Sequence, residues 1–252
     1  MFFANHTLAR RLEAAETFTC RCYGGPTESI DYAGGVAMFA GVGSPLTHAI
    51  GTGMHGVVSP AEIKAMEQFY RSRGSHAEID LCPLADEGYL PQLSERGYRV
   101  VELNNVLARV ISGDLPPADP RVASGDGETY SRVVAEGFFG PGEPPPEMLA
   151  IGAALSSGPL QPYLAYVDGR AVAGGTLNIC ENTGFFFGDA TVNSARGLGL
   201  QRALVETRLA AAAAAGCDLA FAATLPGSQS QRNYERCGFR VVYTKLTLRR
   251  VF

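Results

Sequence analysis

A short run in the second half of the chain has the composition of an anion site. The segment ATVNSARGLGLQRALVE, residues 190–206, leads from a β-rich stretch through RGLG at 196–199 into strong helix formers that begin near Leu200. The first amides of a helix have no partners within it, and the helix dipole adds positive charge there. Glycine lets a phosphate approach the backbone closely. The run predicts a phosphate site, although the two glycines could equally make only a tight turn.

Tyr234 and Asp189 are candidates for proton transfer. Tyr234 stands four residues before Gly238 in the helix-like stretch 228–237, and a phenol with a pKa of about 10 stays protonated at neutral pH. It could act as a general acid, or its ring could simply pack against a sheet. Asp189 lies in the strand-like stretch 184–192 and could act as a base, although a salt-bridged structural carboxylate is the alternative.

Other well-known sites are missing from the sequence. It holds no G-x-x-x-x-G-K-[ST] motif, and the glycine pair lacks the third glycine and downstream acid of a dinucleotide site. Cys20 and Cys22 have no partner pair at zinc-ligand spacing, and the four histidines form no ligand pair. We therefore expect no metal and reduced thiols.

Composition limits the class of protein. The 252 residues are 46% hydrophobic and 18% charged, which is typical of a globular chain with one large domain or two smaller ones. The net charge of −4 argues against a nonspecific nucleic-acid binder. The sequence contains no uninterrupted run of about 18 apolar residues, so it predicts no membrane-spanning helix. The start, MFFANHTLAR, lacks the order of a secretory signal, so we expect a cytoplasmic protein.

The two halves repeat one order of elements. In the first half, helix-like 60–73, strand-like 77–82 and helix-like 86–96 precede a β-rich stretch that begins YRVV. In the second half, 200–215, 218–224 and 228–237 precede a stretch that begins FRVV. Gly74 and Gly97 stand 23 positions apart, and Gly216 and Gly238 stand 22 apart. The pattern predicts two α/β units of one fold in tandem, with generic α/β alternation as the alternative.

Further elements complete the second half. A helix is predicted at 125–139, and the stretches 162–167 and 171–179 around Asp168-Gly169 read as a hairpin. The strand at 184–192 follows. Residues 112–125, rich in proline, glycine and small polar residues, are typical of a linker, so the expected domains are 1–112 and 119–252.

The second half resembles the GCN5-related N-acetyltransferase (GNAT) superfamily. Its acyl-CoA motif, Q/R-x-x-G-x-G/A, is matched by Arg196 and Gly199, with Gln201 where the last glycine or alanine is expected. A second family element, a tyrosine four residues before Gly-Phe in the last helix, is matched by Tyr234. In the first half the corresponding loop, HGVVSPAEIK at 55–64, has no glycine pair before its helix. The resemblance implies an α/β (α+β) fold of two tandem GNAT-like domains, each a mixed sheet flanked by helices, the first degenerate and without a phosphate loop.

The resemblance also implies a reaction and a site. An acetyl group would pass from acetyl-CoA, the cosubstrate, to an amine, with Tyr234 as general acid and Asp189 as a candidate base. An amide near 189–191 would stabilise the tetrahedral intermediate. The implied coenzyme A contacts are Thr191, Val192, Arg196, Gly197, Leu198, Gly199, Leu200, Gln201 and Ser230. Ser230 and Ser228 could instead cap the last helix.

Several alternatives stay open at this point. The chain could be a non-catalytic acyl-CoA-binding or regulatory protein on the same fold, which need not keep Tyr234. It could also be a structural α/β protein that binds no ligand. The acceptor would be a small-molecule or peptide amine, with neither nucleic acid nor membrane as a partner. The chain could be a monomer or a homodimer. Tyr130, Phe138 and Phe139 could line the acceptor pocket or belong to the core.

Overall fold

The structure, a computed structural model, describes residues 4–23, 27–113 and 115–252. The chain forms two compact units, one made of Met1–Arg21, Pro26–Val106 and Val241–Phe252, the other of Cys22–Gly25 and Leu107–Arg240. Both mix helices with strands, as the sequence predicts. None of the helices in the described ranges is long and apolar enough to cross a membrane.

The first unit packs three helices against a mixed sheet. Its helices are α1 (His6–Arg21), α2 (Pro60–Arg71) and α3 (Tyr89–Glu95), and its strands are β1 (Glu28–Tyr32), β2 (Gly35–Phe39), β3 (Ala49–Ile50), β4 (Ala77–Leu81), the first part of β5 (Arg99–Val110) and the C-terminal strand. β1–β2–β3 pair antiparallel, and β3 pairs parallel with β4. The core contains Met66, Tyr70, Ile79, Tyr89 and Leu93.

The second unit places helices against a sheet with three antiparallel strands at its centre. Its strands are β6 (Val122–Ser124), β7 (Gln161–Val167), β8 (Arg170–Cys180), β9 (Thr183–Thr191) and β10 (Leu219–Thr224), and its helices are α4 (Gly127–Phe139), α5 (Pro146–Ser157), α6 (Leu200–Ala214) and α7 (Gln229–Arg236). β6–β7–β8–β9 are antiparallel neighbours, and β9 pairs parallel with β10. β10 is almost fully buried because its residues are apolar on both faces.

Three helix starts follow from local sequence. Ser59 caps α2 with Pro60 in the first turn, Asp126 accepts a hydrogen bond from the amide of Thr129 at α4, and Ser228 accepts one from the amide of Gln231 at α7. These side-chain oxygens replace partners that a helix start lacks. Ser228 therefore has the capping role that the sequence allows for it.

Two sequence expectations differ from the structure. The predicted linker 112–125 contains β6, whose residues Val122–Ser124 pair with β7. The stretch FRVVYTKLTLRR forms β11 (Arg240–Arg250), which pairs antiparallel with β4 in the first unit, Leu248 opposite Ile79. The compact units thus divide the chain differently from the expected domains 1–112 and 119–252. A strand pairs where its apolar face finds a partner, and chain order does not fix which strand that partner is.

Candidate active site

A cleft opens where β9 and β10 part in the second unit. Parallel pairing joins Thr183–Phe186 to Leu219–Ala222, but β9 continues to Thr191. Within the described residues, the backbone of 187–191 is therefore not paired with β10. Unpaired backbone at a strand edge can accept an extended chain as an additional strand.

A bulge in β9 lies at the mouth of this gap. The register between β8 and β9 shifts between Gly174 and Thr176, and Gly188 adopts φ 64°. The phenol of Tyr130 donates a hydrogen bond of 2.9 Å to the carbonyl oxygen of Gly188. A bulge redirects the side chains that follow it. Here the following side chain is Asp189, which lines the cleft.

The predicted anion loop ends in an uncapped helix. Gly197 (φ 82°) and Gly199 (φ 74°) both adopt left-handed backbone, and Gly199 is the N-cap of α6 without a side-chain hydrogen bond. A Cβ at either position would meet nothing within 4 Å, so glycine is required by the backbone conformation and not by space. The first amides of α6 are left for an outside acceptor.

The matching helix of the first unit is closed to such a ligand. Ser59 Oγ accepts a hydrogen bond from the amide of Glu62, and Glu62 Oε2 accepts one from the amide of Ser59 at 2.8 Å. This capping box supplies the acceptors at the start of α2. The carboxylate of Glu62 thus serves as the anion at the helix start in 55–64, consistent with the missing glycine pair.

The cleft has a volume of about 790 Å³. Three arginines lie around it: Arg202 pairs with Glu206, Arg236 donates to Asn233 Oδ1, and Arg196 donates to the carbonyl oxygens of Gly137 (3.0 Å) and Thr191 (3.3 Å). These contacts of Arg196 tie the loop to α4 and β9, and the residue also lines the cleft.

Most of the predicted site residues meet at this cleft. Its lining includes Asp189, Thr191, Arg196, Gly197, Gly199, Leu200, Gln201 and Ser230. Val192 is buried instead, with its amide bonded to the carbonyl of Val172, and the side chain of Leu198 is half exposed outside the lining. Tyr234 is not among the lining residues and is only 2% exposed.

Gln201 bridges three elements across the cleft. Its Nε2 donates to Ser230 Oγ at 2.8 Å and lies 3.5 Å from Asp189 Oδ2, and its Oε1 accepts from Asn233 Nδ2 at 2.7 Å. The side chain that replaces the expected glycine or alanine thus connects α6 to α7 and β9. Its backbone amide remains in the first turn of α6.

Asp189 joins Tyr234 to a buried arginine. Tyr234 donates its hydroxyl to Asp189 Oδ2 at 2.7 Å, and Arg208 Nη2 lies 2.7 Å from Asp189 Oδ1. Burial, and then the negative charge of Asp189, raise the pKa of Tyr234 well above its usual value. Burial tends to lower the pKa of Arg208, but Asp189 raises it overall. Tyr234 is therefore protonated at neutral pH, as the sequence predicts for a phenol.

Sequence reasoning missed Arg208. It lies on the stripe Leu200, Leu204, Arg208, Ala212, whose four-residue spacing places all of them on the buried side of α6. An arginine in an apolar stripe signals a buried partner, because a lone buried charge is too costly. That signal was available in the sequence, but the identity of the partner was not.

The aromatic candidates divide between the core and the surface. Tyr130 is buried, whereas Phe138 and Phe139 are 59% and 65% exposed, and Phe138 lines the cleft. Phe138 and Phe139 are thus not core residues, which was one of the two roles that the sequence left open for them. In the ranges that the structure covers, no group of three or more His, Cys, Asp or Glu residues could hold a metal ion.

Comparisons with known proteins agree with this geometry. Residues 128–239 match the model of the acetyltransferase (GNAT) family. A GCN5-related N-acetyltransferase from Kribbella flavida superimposes with a TM-score of 0.69 at 20% identity, over 96% of this chain and 95% of that one. A GNAT-family structure from Novosphingobium aromaticivorans DSM 12444 gives 0.59 at 18% identity, over 98% of both chains.

A tandem member extends the likeness to the duplicated architecture. A tandem GNAT protein from the clavulanic acid biosynthesis pathway superimposes with a TM-score of 0.61 at 12% identity, over 97% of this chain and 93% of that one. These identities show the fold alone, and no curated protein sequence matches the chain. With the open helix start and the parted strands, residues 128–239 form a domain that matches the acetyltransferase (GNAT) family.

Proposed function

We propose that the chain is an N-acetyltransferase that moves an acetyl group from acetyl-CoA to an amine of a small molecule or peptide. The observation that carries the proposal is the uncapped start of α6 at Gly199, which opens into a cleft of about 790 Å³ within a matched GNAT domain. A diphosphate is the kind of anion that such a helix start attracts. We propose the degenerate character of the first domain on the same ground, because the start of α2 is capped.

The residues of the cleft fit coenzyme A in charge and shape. The amides of 199–201 would hold the diphosphate, with Arg202 and Arg236 offering positive charge at the rim. The unpaired edge of β9 at 187–191 would pair with the pantetheine arm, which carries two amide groups. Because the side chain of Gln201 lies across the cleft, we expect the bridge to Asn233 to rearrange when the arm enters.

Each candidate residue has a definable task. The attacking amine must be neutral, and the tetrahedral intermediate needs an N–H donor from the backbone of 189–191. Tyr234 can serve as the acid only if its hydroxyl turns from Asp189 toward the departing sulfur, a rotation about a single C–O bond. Asp189 is paired with Arg208, so its carboxylate is better suited to orient Tyr234 than to remove a proton. Ordered water is then the route for the amine proton.

Non-catalytic binding of an acyl-CoA is the second candidate. The observation that favours it is that the only proton of the Tyr234 phenol is directed at Asp189 and not at the cleft. A binding protein would use the same amides and the same strand edge without needing this proton. The acceptor, the oligomeric state and the cytoplasmic location stay predictions.

Two measurements on the full chain distinguish these functions. Calorimetry with coenzyme A tests the binding, and release of free thiol from acetyl-CoA with a panel of amines tests the transfer. Binding with amine-dependent thiol release supports the enzyme, whereas binding without release supports the second candidate. A folded chain that gives no heat with millimolar coenzyme A would contradict both.

A further inference from the structure

Arg208 is fully committed to the protein. Its guanidinium is 0% exposed, with Nε donating to the carbonyl of Leu204 (3.1 Å), Nη1 to the carbonyl of Thr176 (2.9 Å) and Nη2 facing Asp189 (2.7 Å). The ring of Phe186 lies 4.9 Å below the guanidinium carbon. With Nε and Nη1 hydrogen-bonded and Nη2 in an ion pair with Asp189, the buried Arg208 cannot reach a ligand in the cleft.

Gly175 provides the space for this pair. A Cβ at that position would lie 2.8 Å from the guanidinium carbon of Arg208, and closer still to Asp189 Oδ1. Gly175 does not have left-handed backbone, so its missing side chain serves the pair and not a turn. The strand β8 is thus shaped around Arg208 and Asp189.

The pair also faces other titratable groups. Tyr234 reaches Asp189 from α7, and the buried phenol of Tyr130 lies near both charges from α4. Tyr163 on β7 lies within electrostatic range of Arg208. Among these groups Arg208 is the ion-pair partner of Asp189, with Nη2 2.7 Å from Oδ1. Removing one partner from a buried ion pair leaves a charge uncompensated, which is strongly unfavourable.

We propose that Arg208 is a positioning residue for acetyl transfer: it pairs with the Asp189 carboxylate and holds it in place while the Tyr234 hydroxyl turns from Asp189 to the sulfur. This inference rests on the proposed function. In the step, the C–N bond forms, the C–S bond breaks and the thiolate takes the phenol proton. The proton that the acylated amine releases restores Tyr234. Arg208 offsets the carboxylate and the transient phenolate together, since both would otherwise repel each other.

The first test compares Arg208→Met with Arg208→Lys and the double variant Arg208→Met/Asp189→Asn. Arg208→Met should lower kcat by at least about tenfold and leave the dissociation constant of coenzyme A within about twofold, because only the turning of Tyr234 is affected. Its kcat relative to the wild type should fall as pH rises from 5.5 to 8, since an uncompensated Asp189 keeps the phenol proton more tightly once ionised. Arg208→Lys should restore part of kcat, and the double variant should lack the pH effect. An unchanged pH profile or unchanged kcat in Arg208→Met would overturn the proposal.

A second test measures stability and needs no ligand. The thermal midpoint of unliganded Arg208→Met should fall from pH 5 to pH 8 relative to the double variant, because a buried carboxylate without its counter-ion loses stability when it ionises. Parallel curves would contradict the coupling. Gly175→Ala moves the pair without deleting a charge and should show the same loss of kcat. If the wild-type protein binds coenzyme A but releases no thiol, both the proposed function and the positioning role are wrong. The thermal midpoints of the variants would still show whether Arg208 compensates the charge of Asp189.

Discussion

Tyr234 directs its phenol hydrogen at Asp189 Oδ2, 2.7 Å away, and not at the cleft that Asp189 lines. Tyr234, the candidate acid, and Asp189, the candidate base, therefore form one hydrogen-bonded pair. Because of this hydrogen bond, we expect a change in either side chain to alter the position and proton of the other. This relationship sets the expected behaviour of the variants below.

Tyr234→Phe should lower amine-dependent thiol release by about tenfold or more, a modest loss for a general acid because a thiolate with a pKa of about 8.5 is a fair leaving group. Coenzyme A affinity should stay within about twofold, since Tyr234 is not among the residues that line the cleft. Steady-state kinetics and calorimetry measure the two effects. Tyr98→Phe removes a buried hydroxyl in the core of the first unit and serves as the matched control. Equal turnover in Tyr234→Phe would remove the acid assignment.

Gly199→Ala should weaken coenzyme A binding by at least about tenfold. A left-handed conformation costs an L-residue about 1–2 kcal/mol, and relaxing it turns the first amides of α6 away from the ligand. Gly169→Ala, in the turn between β7 and β8 with φ 77° and nothing near its Cβ, introduces the same strain far from the lining. Calorimetry should therefore show normal affinity in Gly169→Ala. If both variants lose affinity equally, the effect is one of stability and not of the anion site.

Gln201→Ala should bind coenzyme A several-fold more tightly than the wild type. The substitution removes the bridge to Ser230 and Asn233 across the cleft but keeps the backbone amide of residue 201. Titration calorimetry measures the affinity, and Gln161→Ala on β7 is a control of the same chemistry outside the lining. Weaker binding would instead mean that the side-chain amide itself holds the ligand.

Glu13→Gln should flatten the pH dependence of stability in the first unit. Lys245 Nζ lies 3.0 Å from Glu13 and 2.5 Å from Glu16, and Tyr243 donates to Glu13 at 2.7 Å. Burial raises the pKa of Glu13 from 4.5 to about 7, against the opposing charge of Lys245. The folded state thus binds more protons than the unfolded state between pH 4.5 and 7, so this residue makes stability fall as pH rises through that window.

The size of this effect is bounded by the same shift. It amounts to at most roughly 3–4 kcal/mol, since the shift from 4.5 to about 7 spans 2.5 pKa units of about 1.4 kcal/mol each. Denaturant titrations at pH 5 and pH 8 measure it, and the difference between the two pH values should be smaller in Glu13→Gln than in the wild type. A difference that is as large in the variant would show that other groups carry the dependence. Glu28→Gln, at an exposed pair with Arg73, is the surface control.

The elements of the chain were largely readable from the sequence. The predicted helix 60–73 is α2 (Pro60–Arg71), the hairpin around Asp168-Gly169 is β7–β8, and the anion loop opens α6 at Leu200 as expected. Such features depend on neighbouring residues: apolar periodicity, capping oxygens and glycine at positive φ. The short strand β6 was missed because three residues among prolines give no periodic signal.

Sequence by itself determined the order of elements, the two left-handed glycines and the types of residue at the cleft. Only the tertiary structure decided that β11 pairs with β4, that Gln201 spans the cleft, and that Arg208 and Tyr234 share Asp189. The former are fixed by interactions within a few residues, whereas Asp189 and Tyr234 are 45 positions apart. Contacts over such separations depend on how sheets and helices pack, and the identity of one residue does not name its partner.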